Sequence, residues 1–370
     1  MSDFNTNGEM NIEQENAQTE TPHKRRKRYS GTHPRKFEEK YKEHNPEKYA
    51  DTVAKVISKG STPAGMHISI MVKEVLDALQ IQPGEKGLDA TLGYGGHSRK
   101  MMEQLRGEGH LYALDVDPIE IVKTKERLNA AGFGDDIFTA VSENFANIDK
   151  VSQQYGKFNF LMADLGVSSM QIDNPERGFS YKLDGPLDLR LNPEKGVPAW
   201  ERLSEMKREE IIGMLEDNSD EPYAVQLANV LSARRKRGEI IKTTTQLREC
   251  IESTVMPLLD KEKGMKADEK KEVLKKTCQR VFQALRIDVN SEFEVLEAFL
   301  NKLPDVMEEG GRVAILTFHS GEDRLVKHAF KEYKRSGVFS EISEDVIRPS
   351  AEECRTNPRA RSTKLRWARK

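Results

Sequence analysis

The sequence predicts an α/β fold: a mostly parallel sheet covered by helices on both faces, with a helical segment inserted late in the chain. Three observations carry this prediction. Short apolar runs alternate with stretches of helical spacing between residues 86 and 164, the pattern of successive βα units. A glycine-rich turn, DATLGYGGH at 89–97, joins the first such run to the first such helix. From about 199 to 280 the chain is charged and helix-patterned without any strand signal, and a buried apolar run returns only at 310–318.

Size and composition set the limits. The 370 residues are enough for two or three domains and one substantial core. With 32% charged residues and no long uncharged apolar run, no transmembrane helix is expected. Residues 1–20 are acidic and polar and lack the basic start and apolar core of a secretory signal, so the cytoplasm is the expected compartment. Cys250, Cys278 and Cys354 are far apart and show no Cys-x-x-Cys spacing. They fit packing positions in a reducing compartment better than a disulfide scaffold or a zinc cluster. The net charge of −2 conceals a segregation, because 24–28, 234–237 and 355–370 are basic clusters. Such clusters suit a phosphate-bearing partner, here a nucleic acid.

Taken in order, residues 1–23 show no hydrophobic periodicity and read as disordered. Residues 24–59 mix lysine and arginine with Tyr29, Phe37, Tyr41 and Tyr49. That composition fits an RNA-contacting arm or a solubilising leader with a short helix at 46–58. Apolar residues recur at helical spacing over 67–79, and Pro83-Gly84 ends that segment. Strands are then expected at 86–92, 110–115, 137–141 and 158–164, with helices at 97–106 and 118–131 and a loop bearing Phe145. The stretches 173–180 and 184–190 are rich in turn residues, and the inserted helical segment follows. Re-entry into the sheet domain is expected at 280–290. A helix over 291–307 comes next, for which Ser291 and Glu294 offer a capping box. After the strand at 310–318, Ser320 and Asp323 can cap a helix over 324–333, and the tail at 357–369 can form a final strand.

In sheets of this kind ligands bind outside the carboxyl ends of the strands. That rule singles out Gly95, Gly96 and His97 in the glycine turn, Asp115 at the next strand end, Phe145 and Asp164. Glycines let a ligand approach the backbone, and the helix behind them offers unpaired N–H groups. Asp115 follows the turn by about 20 residues, the spacing at which a carboxylate grips ribose hydroxyls. A dinucleotide site prefers a third glycine where this chain has Ser98, whereas Asp89, ending the first strand before the turn, favours S-adenosyl-L-methionine. Phe145 suits either stacking on an adenine ring or plugging the core. The loop LGVSSMQ at 165–171 is unusually polar for packing alone. His319 with Asp323 would need further metal ligands, which the sequence does not supply, so no metal is expected.

Several long strings, in order, carry a resemblance: DATLGYGGHS (89–98), DLGVSS (164–169), RGFS (177–180), GPLD (185–188), FQALRIDVN (282–290), FHS (318–320) and NPRARS (357–362). They closely resemble the RsmH (MraW) family of bacterial enzymes that methylate N4 of a cytosine in the decoding centre of 16S ribosomal RNA. The resemblance runs from His67 to the C-terminus. It implies a class I S-adenosylmethionine-dependent methyltransferase (Rossmann-like) sheet with an inserted helical domain. The expected division is an N-terminal extension at 1–60, a methyltransferase domain at 61–180 and 281–370, and a helical substrate-recognition domain at 181–280. The cofactor positions it implies are Gly95, Gly96, His97, Asp115, Phe145, Asp164 and Gln171. The implied partner is 16S rRNA in the small ribosomal subunit.

Three runs depart from the family's usual form. KTCQR at 276–280 replaces His-Pro-Ala-Thr-Arg, SGED at 320–323 replaces Ser-Leu-Glu-Asp, and SDE at 219–221 replaces Gly-Glu-Glu. These leave open a paralogue acting on a different ribosomal RNA base, or an assembly factor that keeps the fold without the chemistry. An NAD-type oxidoreductase using the same glycine turn is the remaining alternative. For cytosine methylation, the N4 lone pair is delocalised into the ring, so a site must orient the amino group and accept one of its protons. Asp164, or the loop carbonyls and Ser168 after it, are the expected acceptors. No metal is needed, because the sulfonium leaving group is already activated.

Overall fold

The computed structural model describes residues 69–370, so the expectations for the N-terminal extension lie outside the described residues. The first helix, α1 (Val72–Leu79), buries Val75 and Leu79 and ends at Gln80 in the left-handed conformation, with φ 47°. Arg312 closes that end. Its guanidinium donates to the Leu79 and Gln80 carbonyls at 2.7 and 2.9 Å and pairs with both oxygens of Glu85. The last carbonyls of a helix need such partners when buried.

The βα units form in the predicted order: β1 (Lys86–Asp89), α2 (Gly96–Leu105), β2 (His110–Asp115), α3 (Pro118–Ala130), β3 (Phe138–Ser142), α4 (Ile148–Tyr155), a helix where only a loop was expected, and β4 (Phe158–Asp164). A one-turn helix, α5 (Ser169–Asp173), follows. Then come five helices without a strand: α6 (Ala199–Glu205), α7 (Arg208–Ser219), α8 (Ala224–Lys236), α9 (Thr244–Leu259) and α10 (Ala267–Asn290). The sheet resumes through α11 (Glu292–Val306), β5 (Met307–Thr317), α12 (Ser320–Arg335), β6 (Glu341–Ile342), α13 (Ala351–Thr356) and β7 (Lys364–Arg369).

The seven strands lie in the order β3-β2-β1-β4-β5-β7-β6. Strands β1 to β5 are parallel, and β7 runs antiparallel to β5 and to β6. This is the sheet of class I S-adenosylmethionine-dependent methyltransferases. Strand side chains alternate between two cores. Phe160 and Met162 of β4 join α1, α2 and α3 on one face, whereas Leu161 and Ala163 join α4, α11 and α12 on the other. A third core, built from residues such as Leu215, Leu227, Leu247, Val281 and Phe282, belongs to the helices between β4 and β5. Strand order reverses between β1 and β4, so the carboxyl ends of those two strands flank the crevice where this fold places ligands.

Four local expectations are corrected. The stretch 280–290 is no re-entry segment, because α10 runs unbroken through it to Asn290 and Val281, Phe282, Ala284 and Leu285 pack in the helical core. A domain boundary at 280/281 would therefore cut a helix, and the helical body extends to Asn290. Ser291 has φ 48° and makes no side-chain cap, so the expected box with Glu294 does not form; the left-handed residue is a sharp joint between α10 and α11. At α12 the cap is His319 with Glu322, whose carboxylate accepts the Phe318 N–H at 2.8 Å. Asp323 is instead tied to Lys364 and Arg366 of β7 at 3.1 and 2.7 Å. Among the described residues no helix is long and apolar enough to cross a membrane.

Candidate active site at the carboxyl ends of the strands

The residues that follow β1, β2 and β4 converge on a cavity of about 520 Å³, within the range of small-ligand sites. The glycine turn forms its floor. Gly95 precedes α2 with φ 80°, a conformation that favours glycine. A Cβ there would come within 2.8 Å of Thr124 Cγ2, and one at Gly96 within 1.9 Å of Ser69 Oγ. Thr124 cannot turn away freely, since its hydroxyl donates to the Gly93 carbonyl at 2.7 Å. Glycine at 95 is therefore required by the packing of α3 against the turn and glycine at 96 by the close approach of Ser69, and both glycines line the cavity.

Two aspartates hold this turn. Asp89 is buried, accepting from Ser98 Oγ at 2.6 Å and from the Thr91 N–H at 3.0 Å, and burial raises its pKa against those bonds. Ser98, at the third-glycine position of a dinucleotide motif, thus has its own task. Asp115 accepts the Gly93 N–H at 2.8 Å through one oxygen and the Asp117 N–H at 2.9 Å through the other. Burial pushes Asp115 up to about 6 despite these bonds.

Asp164 ends β4 beside them. Its Oδ1 is buried without a hydrogen-bond partner, and its Oδ2 faces His97 Nδ1 at 3.5 Å, too long for a good hydrogen bond. The other ring nitrogen, His97 Nε2, lies 2.9 Å from the Ile70 carbonyl. A carbonyl only accepts, so that nitrogen carries the proton. Burial raises Asp164 to about 6, with His97 opposing and the Asp89 and Glu322 carboxylates reinforcing the rise. The side chain is nonetheless 30% exposed through atoms other than Oδ1, and Asp164 lines the cavity.

The loop after Asp164 is self-capped. Ser168 Oγ accepts the Gln171 N–H at 3.2 Å, and Gln171 Oε1 accepts the Ser168 N–H at 2.9 Å, a capping box at the start of α5. Gln171 Nε2 also donates to Asp117 Oδ2 at 3.1 Å. Both residues line the cavity, but their polar atoms already serve the loop. Phe145 lies in a short 3₁₀ turn at Phe145–Asn147, half-buried, with its ring edge-on to Phe299 at 5.3 Å between centroids. It both packs on the core and lines the cavity. All the residues singled out from the sequence thus meet in one place.

Sequence reasoning missed the hub beneath them. Asp117, 1% exposed, caps α3 and pairs with Arg177 Nη1 at 2.7 Å. Arg177 also donates to the carbonyls of Arg190 and Leu191 at 3.1 and 2.8 Å. One guanidinium therefore ties the ligand loop to the segment leading into the helical body. The Asp-Pro pair at 117–118 is a helix-start signal that identifies the cap. No local signal identifies the partner 60 residues later.

Glu292 and Glu322, which line the cavity, and His319 beside them bring side-chain donor atoms within 4.8 Å of one another, partners that the sequence did not reveal for His319. Arg286 supplies a countercharge there, binding both oxygens of Glu292 at 2.7 and 2.9 Å. One of the departures from the family's usual strings acquires a structural account. A Cβ at Gly321 would approach Phe293 Cζ to 2.6 Å, so the smaller residue accommodates that ring. The acid and base retained in the other altered runs, Glu221 and Arg280, face each other at 3.9 Å.

Residues 64–370 match the family described as "MraW methylase family". The chain is 64% identical over 349 residues to "Ribosomal RNA small subunit methyltransferase H 1" of Lachnoclostridium phytofermentans, covering 94% of this chain and 93% of that protein. It is 57% identical to "Ribosomal RNA small subunit methyltransferase H 2" of Alkaliphilus metalliredigens, with 94% and 98% covered. Identity is 36% to "Ribosomal RNA small subunit methyltransferase H" of Heliobacterium modesticaldum, which aligns with 82% of this chain and 98% of its own length.

Proposed function

The chain belongs to the MraW methylase family, and we propose that it methylates the N4 amino group of a cytidine in the decoding centre of 16S rRNA, within the cytoplasmic small ribosomal subunit. The observation that carries this reading is the under-bonded Asp164 carboxyl group, aimed into the same cavity as the glycine cradle.

The residues present fit S-adenosylmethionine. The Gly95 and Gly96 backbone lines the space, Asp115 supplies an acceptor for ribose hydroxyls, and Phe145 offers an aromatic face for the adenine. His97 and Gln171 border the same space. When bound, S-adenosylmethionine supplies an electrophilic methyl group on a sulfonium. Asp164 does the remaining work at the base. Its Oδ2, the carboxylate oxygen that is not buried, accepts an N4–H hydrogen bond, which draws the amino nitrogen toward a pyramidal geometry and localises its lone pair. The same oxygen then takes the proton released as the N–C bond forms. A carboxyl group with a pKa near 6 suits this task, being ionised at neutral pH yet more basic than an ordinary aspartate. Ser168 is the weaker acceptor, because its Oγ already accepts from Gln171. His97 Nδ1 lies 3.5 Å from the same Oδ2, too far to occupy it with a good hydrogen bond.

A cytosine reaches such a cavity only when unstacked and turned outward. The helical body joined through Arg177 is then placed to hold the surrounding RNA.

Asp115→Asn should weaken S-adenosylmethionine binding about tenfold or more, read by calorimetry. In the native protein the affinity should also fall as pH drops below about 6, where protonation removes the acceptor. An unchanged dissociation constant between pH 5 and 8 would remove Asp115 from the cofactor site. The function itself is tested by incubating the protein with methyl-labelled S-adenosylmethionine and small or large ribosomal subunits lacking the modification. Label confined to small-subunit RNA is the expected result. Cofactor binding without transfer to any subunit would point instead to an assembly factor.

A further inference from the structure

The mouth of the cavity carries an arginine-bearing lip that the chemistry above does not use. It is formed by α13 and the 3₁₀ turn Pro358–Ser362, which lead into β7. Asn357, Pro358, Arg359 and Ser362 line the cavity. The lip is pinned to both sides of the opening. On one side Glu353 Oε1 accepts the Met71 N–H at 2.7 Å, before α1. On the other Arg359 Nη2 donates to Asp173 Oδ1 at 2.9 Å, at the end of the loop helix that follows Asp164. Between these ties Asn357 Oδ1 accepts the Arg359 N–H at 3.2 Å, and Ala360 is fully buried.

This frame presents two further cations. Arg355 and Arg361 are exposed, and neither has a hydrogen-bond or ion-pair partner among the described residues. Each stands within two positions of a residue that lines the cavity. Elsewhere in the molecule most arginines are engaged, as Arg177, Arg286, Arg312 and Arg366 show. The one acid on the lip not held elsewhere is Glu352, so the local charge is positive.

We propose that Arg355 and Arg361 grip the sugar–phosphate backbone on either side of the nucleotide whose base enters the cavity, with Arg359 setting the position of the lip. The inference rests on the RNA reading given above and deepens it. Guanidinium groups bind phosphate oxygens in a bidentate manner, and contacts of this type position a nucleic acid without reading its sequence. An extruded base needs such anchoring, since the strand beside it must stay at the entrance while the base is unstacked. A rigid lip fits this task better than a mobile one, because little ordering is required when the strand arrives.

The test uses the full chain and small ribosomal subunits lacking the modification. Affinity is measured for the native protein and for R355A/R361A across a series of salt concentrations. The double variant should bind at least tenfold more weakly at low salt. Its log–log salt slope should be shallower by about 1.4, the loss of two single-strand phosphate contacts at about 0.7 each. The defect should appear in KM for subunits, while the dissociation constant for S-adenosylmethionine, which also reports folding, stays the same. R355K/R361K should keep most of the salt slope. Identical affinity and slope in the alanine variant would overturn the proposal. A loss of affinity with no change in slope would also overturn it, assigning the lip to a ribosomal protein. Failure of the native protein to bind subunits at all would instead remove the ribosomal RNA reading on which the lip depends.

Discussion

Asp164→Asn should lower methyl transfer by about 10²- to 10⁴-fold, the range for removing a positioned general base, while leaving S-adenosylmethionine affinity within a few-fold of native. Asparagine keeps the size and one acceptor oxygen but cannot take a proton. Single-turnover transfer to small subunits measures the first quantity and calorimetry the second. Parallel losses in both would make Asp164 a cofactor residue only. The native enzyme should show the same group in its pH dependence. Burial holds Asp164 near 6. Its protonated form, which cannot accept the amino proton, dominates below that value, so the transfer rate should fall as pH drops through 6 and level off above 7. The asparagine variant should lose this inflection.

Arg177→Met should cost about 3–5 kcal/mol, the usual result of leaving one member of a buried ion pair uncompensated. Asp117 is 1% exposed and Arg177 11% exposed, so water cannot take over the role of the guanidinium without opening the structure. Urea unfolding followed by two probes, one in each core, would show the loss in the transition that reports the sheet domain. The variant should also bind S-adenosylmethionine more weakly, because Gln171 and α5 lean on the same Asp117 carboxylate. Adding Asp117→Asn should restore part of the lost stability, since the stranded charge is then gone. A single variant within 1 kcal/mol of native would show that the pair is not the joint between loop and helical body.

Legibility in the sequence followed the range of the interactions. The glycine turn, Asp115 and Asp164 were readable because each is fixed by where a strand ends, a local event written in alternation and turn residues. The whole set then converges through topology, since parallel strands bring their carboxyl ends to one edge. The run 281–289 was harder. Its apolar residues Val281, Phe282, Leu285, Ile287 and Val289 satisfy both a strand-like and a helical period, and only packing against the other inserted helices selects the helix. The cap of α12 was displaced by one residue because His319, not Ser320, has the extended backbone of a cap, with φ −133° and ψ 169°. Adjacent polar residues leave that choice to tertiary context. Least legible were the long-range pairs. Nothing near Arg177 says that its carboxylate is Asp117, and nothing near His319 says that Glu292 will face it.

The most direct measurement is nucleoside analysis of small-subunit RNA after reaction with isotopically labelled S-adenosylmethionine, followed by mapping of the labelled nucleotide. N4-methylcytidine at a decoding-centre cytidine is the expected product, formed by the native enzyme and nearly absent with Asp164→Asn. A labelled methyl group on any atom other than a cytidine N4, or equal yields from the two proteins, would contradict it.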